Sequence, residues 1–324
     1  MHTNFFCIRA KNNFDLGIEY GKLFGKYIQV SAEKNKKLPS WKYRLNQSLL
    51  FFKATQTLFP KYIEEVKGFA QSSKVKIEEL WTMMIADDLN NITTDKCTAL
   101  VTNNNSLFSF NEDWEPATKN KIWVIKKSIN NFTVFELHYQ TSLGGTSVSI
   151  NSNGWVMGVN SMVHRDYQVG VPSLIIGRWL SDTKNPLNDF KKMPTINRAL
   201  GFNHVFLHKN KGIVNIECTS QKQILTQPTS PFLHTNHYLN KQLLFLENTQ
   251  NNTHTFERYK YAQRNLKKTM TTEQIIVLNS SKPVMSDRTI AKMVIDFNTN
   301  TAKVWLLREK EKSWIDYQLD FLNN

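Results

Sequence analysis

Cysteine is scarce in this sequence. Cys7, Cys97 and Cys218 lie far apart and form no CxxC pair, so we expect neither a disulfide framework nor a zinc knuckle. Long apolar runs are also missing, because no stretch approaches the roughly 18 residues that a membrane-spanning helix needs. The first residues become charged too soon, at Arg9 and Lys11, for a signal peptide. We therefore expect a cytoplasmic protein with no membrane association.

Acidic residues are in the minority. The 27 Asp and Glu residues are outnumbered by 41 Lys and Arg residues, which gives a formal net charge of +14. Such an excess is typical of proteins that bind nucleic acids. Here the basic residues form short, scattered clusters at 34–37, 119–127, 209–211 and 260–268, with no nucleic-acid-binding motif around them. We therefore expect no nucleic-acid partner, and the charge mildly favours an anionic small molecule.

The hydrophobic pattern divides the chain near residue 97. Between residues 14 and 93, apolar side chains recur at helical spacing. After that point, short apolar runs separated by turn residues predict strands, with helices between two groups of them. The predicted strands are 97–102, 107–111, 121–127, 132–139, 146–151, 155–160, 203–208, 213–218, 222–226, 289–296 and 301–307, and the predicted helices are 172–181, 186–192, 254–268 and 272–279.

This order of elements predicts an α+β fold. Two groups of strands with helices between them fit two stacked antiparallel sheets with helices outside, a four-layer αββα arrangement. The sequence shows no repeats, low-complexity tail or Gly/Ser linker. We therefore expect one catalytic domain over residues 97–324, preceded by a helical, propeptide-like region over residues 1–96.

Cys97 is the first candidate for chemistry, because it begins a predicted strand and a carboxylate, Asp113, comes just after the next one. A lone cysteine is more often a plain core residue. The neighbouring motifs therefore decide whether Cys97 is interpreted as catalytic. Those motifs are Asn13 to Gly21, Glu64 to Ala70, Cys97-Thr98, Asn111 to Trp114, Asn151 to Asn160, Glu217, His234 to Tyr238 and Thr255 to Tyr259. In this order they resemble the acyl-coenzyme A:6-aminopenicillanic acid acyltransferase family, the C45 group of N-terminal nucleophile hydrolases, over roughly residues 10–307.

The resemblance implies a role for each site residue. Cys97, freed at the start of a chain, supplies the thiol nucleophile, and its own α-amine, with an ordinary pKa near 7.7–8.0, supplies the base. Asp113 is expected to accept a hydrogen bond from that amine, while Arg258 favours the thiolate and keeps Asp113 ionised. The side-chain NH2 of Asn236 is expected to stabilise the oxyanion. Glu112 points to the opposite strand face from Asp113 and is not expected to share its role.

Each of these roles has a plain structural alternative. Asp113 can be an exposed hairpin carboxylate, and Asn236 a turn-forming residue of its His-Thr-Asn-His segment. Arg258 can be a solvated helix charge, with Arg264 the real partner of the site.

The histidines suggest two further alternatives. His234 and His237 are spaced for metal binding, but no third ligand with supporting spacing follows, and we expect no metal or other cofactor. In a papain-type protease, His164 or His237 would pair with Cys97. That reading is weakened because such a nucleophile begins a helix, whereas Cys97 begins a predicted strand.

Lys96 precedes Cys97 where the family has Gly. Self-cleavage strains the preceding peptide, and Gly tolerates that strain better than Lys. The resemblance nevertheless implies cleavage between residues 96 and 97, with the 1–96 fragment kept as a second subunit.

The implied activity is hydrolysis of the linear amide of a small acylated amine or amino-acid conjugate through a thioester. Alternatives are an N-acyltransferase that uses acyl-CoA and a non-catalytic basic binding protein on the same scaffold.

Overall fold

The computed structural model describes residues 4–90, 97–248 and 253–322. The helices are α1 (Asn13–Lys36), α2 (Trp41–Leu58), α3 (Pro60–Ser73), α4 (Ile77–Met84), α5 (Ala86–Asn90), α6 (Ser173–Ser181), α7 (Pro186–Lys192), α8 (Thr253–Asn265) and α9 (Thr272–Ser280). The strands are β1 (Phe5–Ala10), β2 (Cys97–Thr102), β3 (Leu107–Asp113), β4 (Ile122–Ile129), β5 (Phe132–Tyr139), β6 (Val148–Asn151), β7 (Val156–Ser161), β8 (Phe202–His208), β9 (Gly212–Cys218), β10 (Gln223–Thr226), β11 (Phe232–His234), β12 (Thr289–Asp296), β13 (Thr301–Leu306) and β14 (Ile315–Gln318).

The strands form two sheets. The eight-stranded sheet has the order β1-β4-β5-β6-β7-β8-β9-β10, and the six-stranded sheet has the order β11-β2-β3-β12-β13-β14. Strand pairs in both sheets are antiparallel, except that β1 pairs with β4 in parallel. The predicted pair of antiparallel sheets is therefore confirmed apart from this one strand.

The three larger hydrophobic cores of the described residues define the layers. Side chains alternate across a strand, so neighbouring residues of β2 reach different cores. Ala99 and Val101 pack between the two sheets, while Leu100 packs against α8 and α9 on the outer side. Helices α1, α3 and α6 cover the outer face of the eight-stranded sheet. The result is the predicted four-layer αββα fold, and it explains why β2 is buried along its whole length.

Residues 4–90 are part of this fold rather than a purely helical addition. Strand β1, which the sequence pattern did not predict, supplies the edge of the eight-stranded sheet. Helices α1 and α3 cross closely, because a Cβ atom at Gly17 would lie 1.9 Å from the Glu65 carbonyl oxygen and one at Gly68 would lie 2.0 Å from that of Phe14. These two glycines therefore account for the motifs around residues 17 and 68.

Buried polar contacts tie the same segment to later parts of the chain. Glu65 of α3 accepts hydrogen bonds from Arg178 of α6 at 3.1 and 3.2 Å, and both side chains are almost fully buried. The Tyr62 hydroxyl donates to Asp182 at 3.0 Å. Because a buried ion pair is costly to break by removing one partner, these contacts fix α3 against α6. Among the described residues, no helix combines the length and apolar character that crossing a membrane requires.

Candidate active site

Cys97 is the first residue of β2, and 3% of its surface is exposed. Its side chain lies on the face of the six-stranded sheet that packs against the other sheet. It also lines a cavity of about 260 Å³, here named the thiol-side cavity. Within the part of the chain that the structure describes, the charged residues lining this cavity are Asp87, Asp88, Glu112 and Lys121. A thiol in this position can reach a small molecule held between the sheets.

Glu112 is a charged residue that contacts the sulfur. It lies directly opposite Cys97 in the β2–β3 ladder, and the Cys97 thiol donates to Glu112 Oε2 at 3.5 Å. The Ser147 hydroxyl donates to the same oxygen at 2.6 Å, and the Tyr139 hydroxyl donates to Oε1 at 2.7 Å. The expectation from sequence assigned no site role to Glu112, and neither Tyr139 nor Ser147 was identified there.

Asp113 points to the other face of β3, as the alternation of side chains requires. Its carboxylate accepts a hydrogen bond from the Thr289 hydroxyl at 2.5 Å. It lines a second cavity of about 390 Å³, here named the guanidinium-side cavity, together with Arg258 and Arg288. The predicted donor to Asp113, the nitrogen of Cys97, instead donates to Asn236 Oδ1 at 3.2 Å. The alternative of an exposed Asp113 is wrong, because this side chain is buried.

The electrostatic balance at Asp113 differs from the expectation. Burial raises the pKa of its carboxyl, and this effect outweighs the nearby Arg258 guanidinium, the Thr289 hydroxyl and Arg288, all of which lower it. Arg258 therefore acts in the predicted direction, toward the ionised form, but the net pKa lies above the ordinary value.

Arg258 of α8 reaches the backbone of the nucleophile. Its Nη1 donates to the Cys97 carbonyl oxygen at 2.8 Å and to Thr98 Oγ1 at 2.7 Å, and its Nη2 donates to Asn236 Oδ1 at 2.7 Å. The side chain is 2% exposed. Arg264, the alternative partner, is exposed on the same helix. The structure therefore brings Arg258 to Cys97.

Asn236 joins three parts of the site. Because a guanidinium only donates hydrogen bonds, the contact with Arg258 requires the amide oxygen of Asn236 to face Arg258 and the Cys97 nitrogen. The amide NH2 then points to Ser161, donating to its carbonyl oxygen at 2.9 Å and to its Oγ at 3.3 Å. Ser161 lines the thiol-side cavity. The oxyanion role of this NH2 stays a prediction.

Other motif residues hold the site in place. Glu217 at the end of β9 accepts from His234 Nε2 at 3.1 Å and from the backbone nitrogens of Leu239 and Asn240. It thereby fixes both ends of the turn that carries Asn236. Asn111 donates to the carbonyl oxygens of residues 279 and 284, which anchors the end of α9 on β3.

The histidines are engaged elsewhere. His234 contacts Glu217 and the Thr235 carbonyl, while His237 shares hydrogen bonds with the hydroxyls of Thr235 and Thr255. His164 lies 2.7 Å from Asp166. Among the residues that the structure describes, no histidine lines the thiol-side cavity and no group of three potential ligands could hold a metal. This arrangement does not support the papain-type pairing.

Comparison with known families identifies the class of this protein. The family model for acyl-coenzyme A:6-aminopenicillanic acid acyl-transferase matches residues 100–311, more than half of the chain. The chain belongs to this family, as the sequence motifs predicted. Membership supports amidohydrolase or acyltransferase activity in general. The matched region includes Asp113, Asn236 and Arg258 and begins three residues after Cys97. A search of curated proteins finds no match.

Three solved structures illustrate the matches to this chain. Penicillin V acylase from Agrobacterium tumefaciens is 12% identical, with 65% of this chain and 83% of that chain covered and a TM-score of 0.43. The Caenorhabditis elegans ortholog of N-acylethanolamine-hydrolyzing acid amidase is 14% identical, with 65% and 100% covered and a TM-score of 0.42. A mutant of conjugated bile acid hydrolase from Clostridium perfringens is 10% identical, with 69% and 92% covered and a TM-score of 0.45.

Proposed function

We propose that this protein is a self-processing cysteine amidohydrolase that cleaves the linear amide of a small acylated amine or amino-acid conjugate. The observation that carries the proposal is the setting of Cys97. Its sulfur faces a cavity, while its nitrogen and carbonyl oxygen are hydrogen-bonded by Asn236 and Arg258. A plain core cysteine would need neither a cavity nor a buried arginine at its backbone.

Cleavage before Cys97 turns its nitrogen into an α-amine, whose ordinary pKa near 7.7–8.0 suits a base at neutral pH. In the proposed mechanism the amine takes the thiol proton, and the thiolate attacks the amide carbonyl of the substrate. The Asn236 amide group stabilises the oxyanion, and the amine of the substrate leaves with a proton. Water then hydrolyses the thioester that remains on Cys97.

We propose that residues 1–96 stay bound after cleavage as the second subunit of the 97–324 catalytic domain. Two observations support this. Strand β1 is hydrogen-bonded to β4 inside the eight-stranded sheet. The pair of Glu65 and Arg178 is buried between the two parts. Dissociation would leave the β4 edge of that sheet unpaired and would break the ion pair.

The charge of the thiol-side cavity changes the expectation about the substrate. The net charge of the chain favoured an anionic molecule, but Asp87, Asp88 and Glu112 line this cavity together with Lys121. We infer that the leaving amine is neutral or carries a second, cationic group. Hydrolysis rates of N-acyl diamines and matched N-acyl amino acids check this, and faster hydrolysis of the anionic series would contradict it. Consumption of acyl-CoA with amine acylation would identify an acyltransferase instead.

Mass spectrometry of the purified protein tests the first step of the proposed function, which is cleavage of the chain before Cys97. We expect wild type to yield one fragment of residues 1–96 and one that begins at Cys97, and both should co-purify. Cys97→Ala should remain whole and should not hydrolyse any amide substrate of the wild type. Cys97→Ser should cleave slowly, since an oxygen can also carry the acyl shift. Cleavage of Cys97→Ala at the wild-type rate would show that another protease is responsible.

A further inference from the structure

We propose that Glu112 is the base that activates Cys97 for self-cleavage, a role separate from that of the α-amine in the mature enzyme. The inference rests on the proposed function, since it concerns how the nucleophile of that function is formed.

The need for a second base follows from the sequence. Until the bond before Cys97 is broken, the nitrogen of Cys97 is a peptide amide, because Lys96 precedes it. An amide nitrogen has no available lone pair to accept the thiol proton. The base of the mature enzyme is therefore missing in the first reaction that the protein carries out. Some other group must accept that proton if a thiolate is to attack.

Glu112 has the geometry for this task. Its Oε2 lies 3.5 Å from Cys97 Sγ and accepts the thiol hydrogen. Hydroxyl groups hold each carboxylate oxygen, Tyr139 at Oε1 and Ser147 at Oε2. Glu112 is 3% exposed, so bulk water does not replace it at the sulfur. Asp113 does not offer the same contact, because its carboxylate lies on the other face of β3 and accepts from Thr289.

The proposed step balances in protons and bonds. The thiol proton of Cys97 passes to Glu112, and the thiolate forms a bond to the carbonyl carbon of residue 96. The carbon–nitrogen bond then breaks, and the proton returns to the Cys97 nitrogen, which becomes the α-amine. Water hydrolyses the thioester, giving a carboxylate on residue 96 and restoring the thiol. Glu112 ends as it began, and the mature base now exists.

Glu112→Gln tests the proposal, because glutamine keeps the shape of the side chain but does not take up a proton. Freshly purified full-length chains are followed by mass spectrometry across a range of pH. We expect roughly a hundredfold slower cleavage, the lower end of what a general base contributes. Wild-type cleavage should slow in acid, as a protonated carboxyl cannot accept the thiol proton, and the variant should lose this dependence. Glu115→Gln, which removes an exposed carboxylate just beyond β3, is the matched control.

A second pair of measurements separates this role from the function itself. Replacing residues 93–96 with the recognition sequence of a site-specific protease that cuts directly before Cys97 allows the amine to be freed externally. In that background Glu112→Gln should lose far less in amide hydrolysis than the roughly hundredfold that it loses in self-cleavage, because the freed α-amine now accepts the thiol proton. Should Glu112→Gln not fold, Ser147→Ala, which loosens Oε2, should still slow cleavage about tenfold.

Cleavage of Glu112→Gln at the wild-type rate with unchanged pH dependence would overturn the proposal, and so would a wild type that never cleaves itself. In either case, amide hydrolysis by the externally cut protein would leave the proposed function standing. If the externally cut protein hydrolysed no amide, that result would count against the proposed function.

Discussion

The two sides of the six-stranded sheet around Cys97 differ sharply in charge. On the thiol side, Asp87, Asp88 and Glu112 line the cavity together with Lys121. On the guanidinium side, the cationic Arg258, Lys282 and Arg288 line the cavity together with the acidic Asp113 and Asp287. Consecutive residues of β3, 112 and 113, supply one carboxylate to each side.

Because of this difference, the sulfur and the backbone of Cys97 lie in environments of opposite charge. The sulfur of Cys97 faces the acidic cavity, while Arg258 contacts its carbonyl oxygen from the basic one. Asn236 lies between, accepting from the nitrogen of Cys97 and from Arg258. We infer that proton transfer belongs to the acidic side and that placement of the backbone belongs to the basic side. Substitutions on one side should therefore leave the task of the other side largely intact.

The largest effect should come from Arg258→Ala on the basic side. The change removes three charged hydrogen bonds, to Cys97, Thr98 and Asn236. Because these bonds hold the nucleophile and Asn236 in place, their loss should misplace both groups. Steady-state kinetics should show a loss of roughly a thousandfold or more in kcat, about 4 kcal/mol in the barrier. Arg264→Ala, on the exposed part of the same helix, is the control, and equal losses in the two variants would contradict the assignment.

Asn236 comes next. If the NH2 of Asn236 is the oxyanion donor, Asn236→Ala removes roughly 2.7–4 kcal/mol of transition-state stabilisation and lowers kcat accordingly. Asn236→Asp separates this donor role from the acceptor role, because it keeps an oxygen for Cys97 and Arg258 but loses the NH2. We expect it to be as slow as the alanine variant. Normal turnover in processed Asn236→Asp would remove the amide group from the oxyanion site.

The sequence predicted most of the fold because both sheets are covered on both faces. Continuous or alternating apolar runs therefore marked most strands, including β2, β5 and β12. The pattern missed β1, β11 and β14. Strand β11 has three residues and β14 has four, too few to establish a period. Strand β1 depends on parallel pairing with β4, more than a hundred residues later, which no local pattern reveals.

The site was predicted less completely than the fold. Cys97, Asn236 and Arg258 were identified and do lie together. Glu112 was set aside because only its relation to Asp113 was considered. The strand pairing itself contained the missing signal, since Thr102 pairs with Leu107 across the turn and counting outward brings Cys97 opposite Glu112. Tyr139 ends β5 of the other sheet and Ser147 immediately precedes β6 of that sheet, and no sequence pattern indicates how two sheets stack.

On the acidic side, Asp88 should make the folding stability depend on pH. Its carboxylate accepts from the nitrogen and hydroxyl of Ser173 at the start of α6, and burial raises its pKa from 3.8 to about 7. A raised pKa means that the folded state binds the proton more tightly than the unfolded chain, so stability falls as the pH rises from about 4 through about 7.

Asp88→Asn removes this penalty, because asparagine can keep the contacts with Ser173 without ionising. We expect its free energy of unfolding at pH 8 to exceed that of the wild type by up to a few kcal/mol. The two proteins should be equally stable near pH 4. Denaturant unfolding at both pH values checks this, with the exposed Asp287→Asn as the control. A larger difference at pH 4 than at pH 8 would reverse the sign and exclude the explanation.

The smallest effect should distinguish the two neighbouring carboxylates. Asparagine at position 113 can still accept from Thr289, so Asp113→Asn loses only the negative charge that Arg258 and Arg288 face. The surroundings of the Cys97 amine then become more positive, which weakens it as a base. A change of one unit in its pKa corresponds to about 1.36 kcal/mol, and we expect about a tenfold lower kcat in the processed enzyme.

Self-cleavage should change less, because Asp113 does not contact the thiol before the chain is cut. Rates of cleavage and of turnover, measured side by side for Asp113→Asn and Glu112→Gln, should show opposite preferences, and the same preference in both variants would mean that the two sides of the sheet do not divide the chemistry.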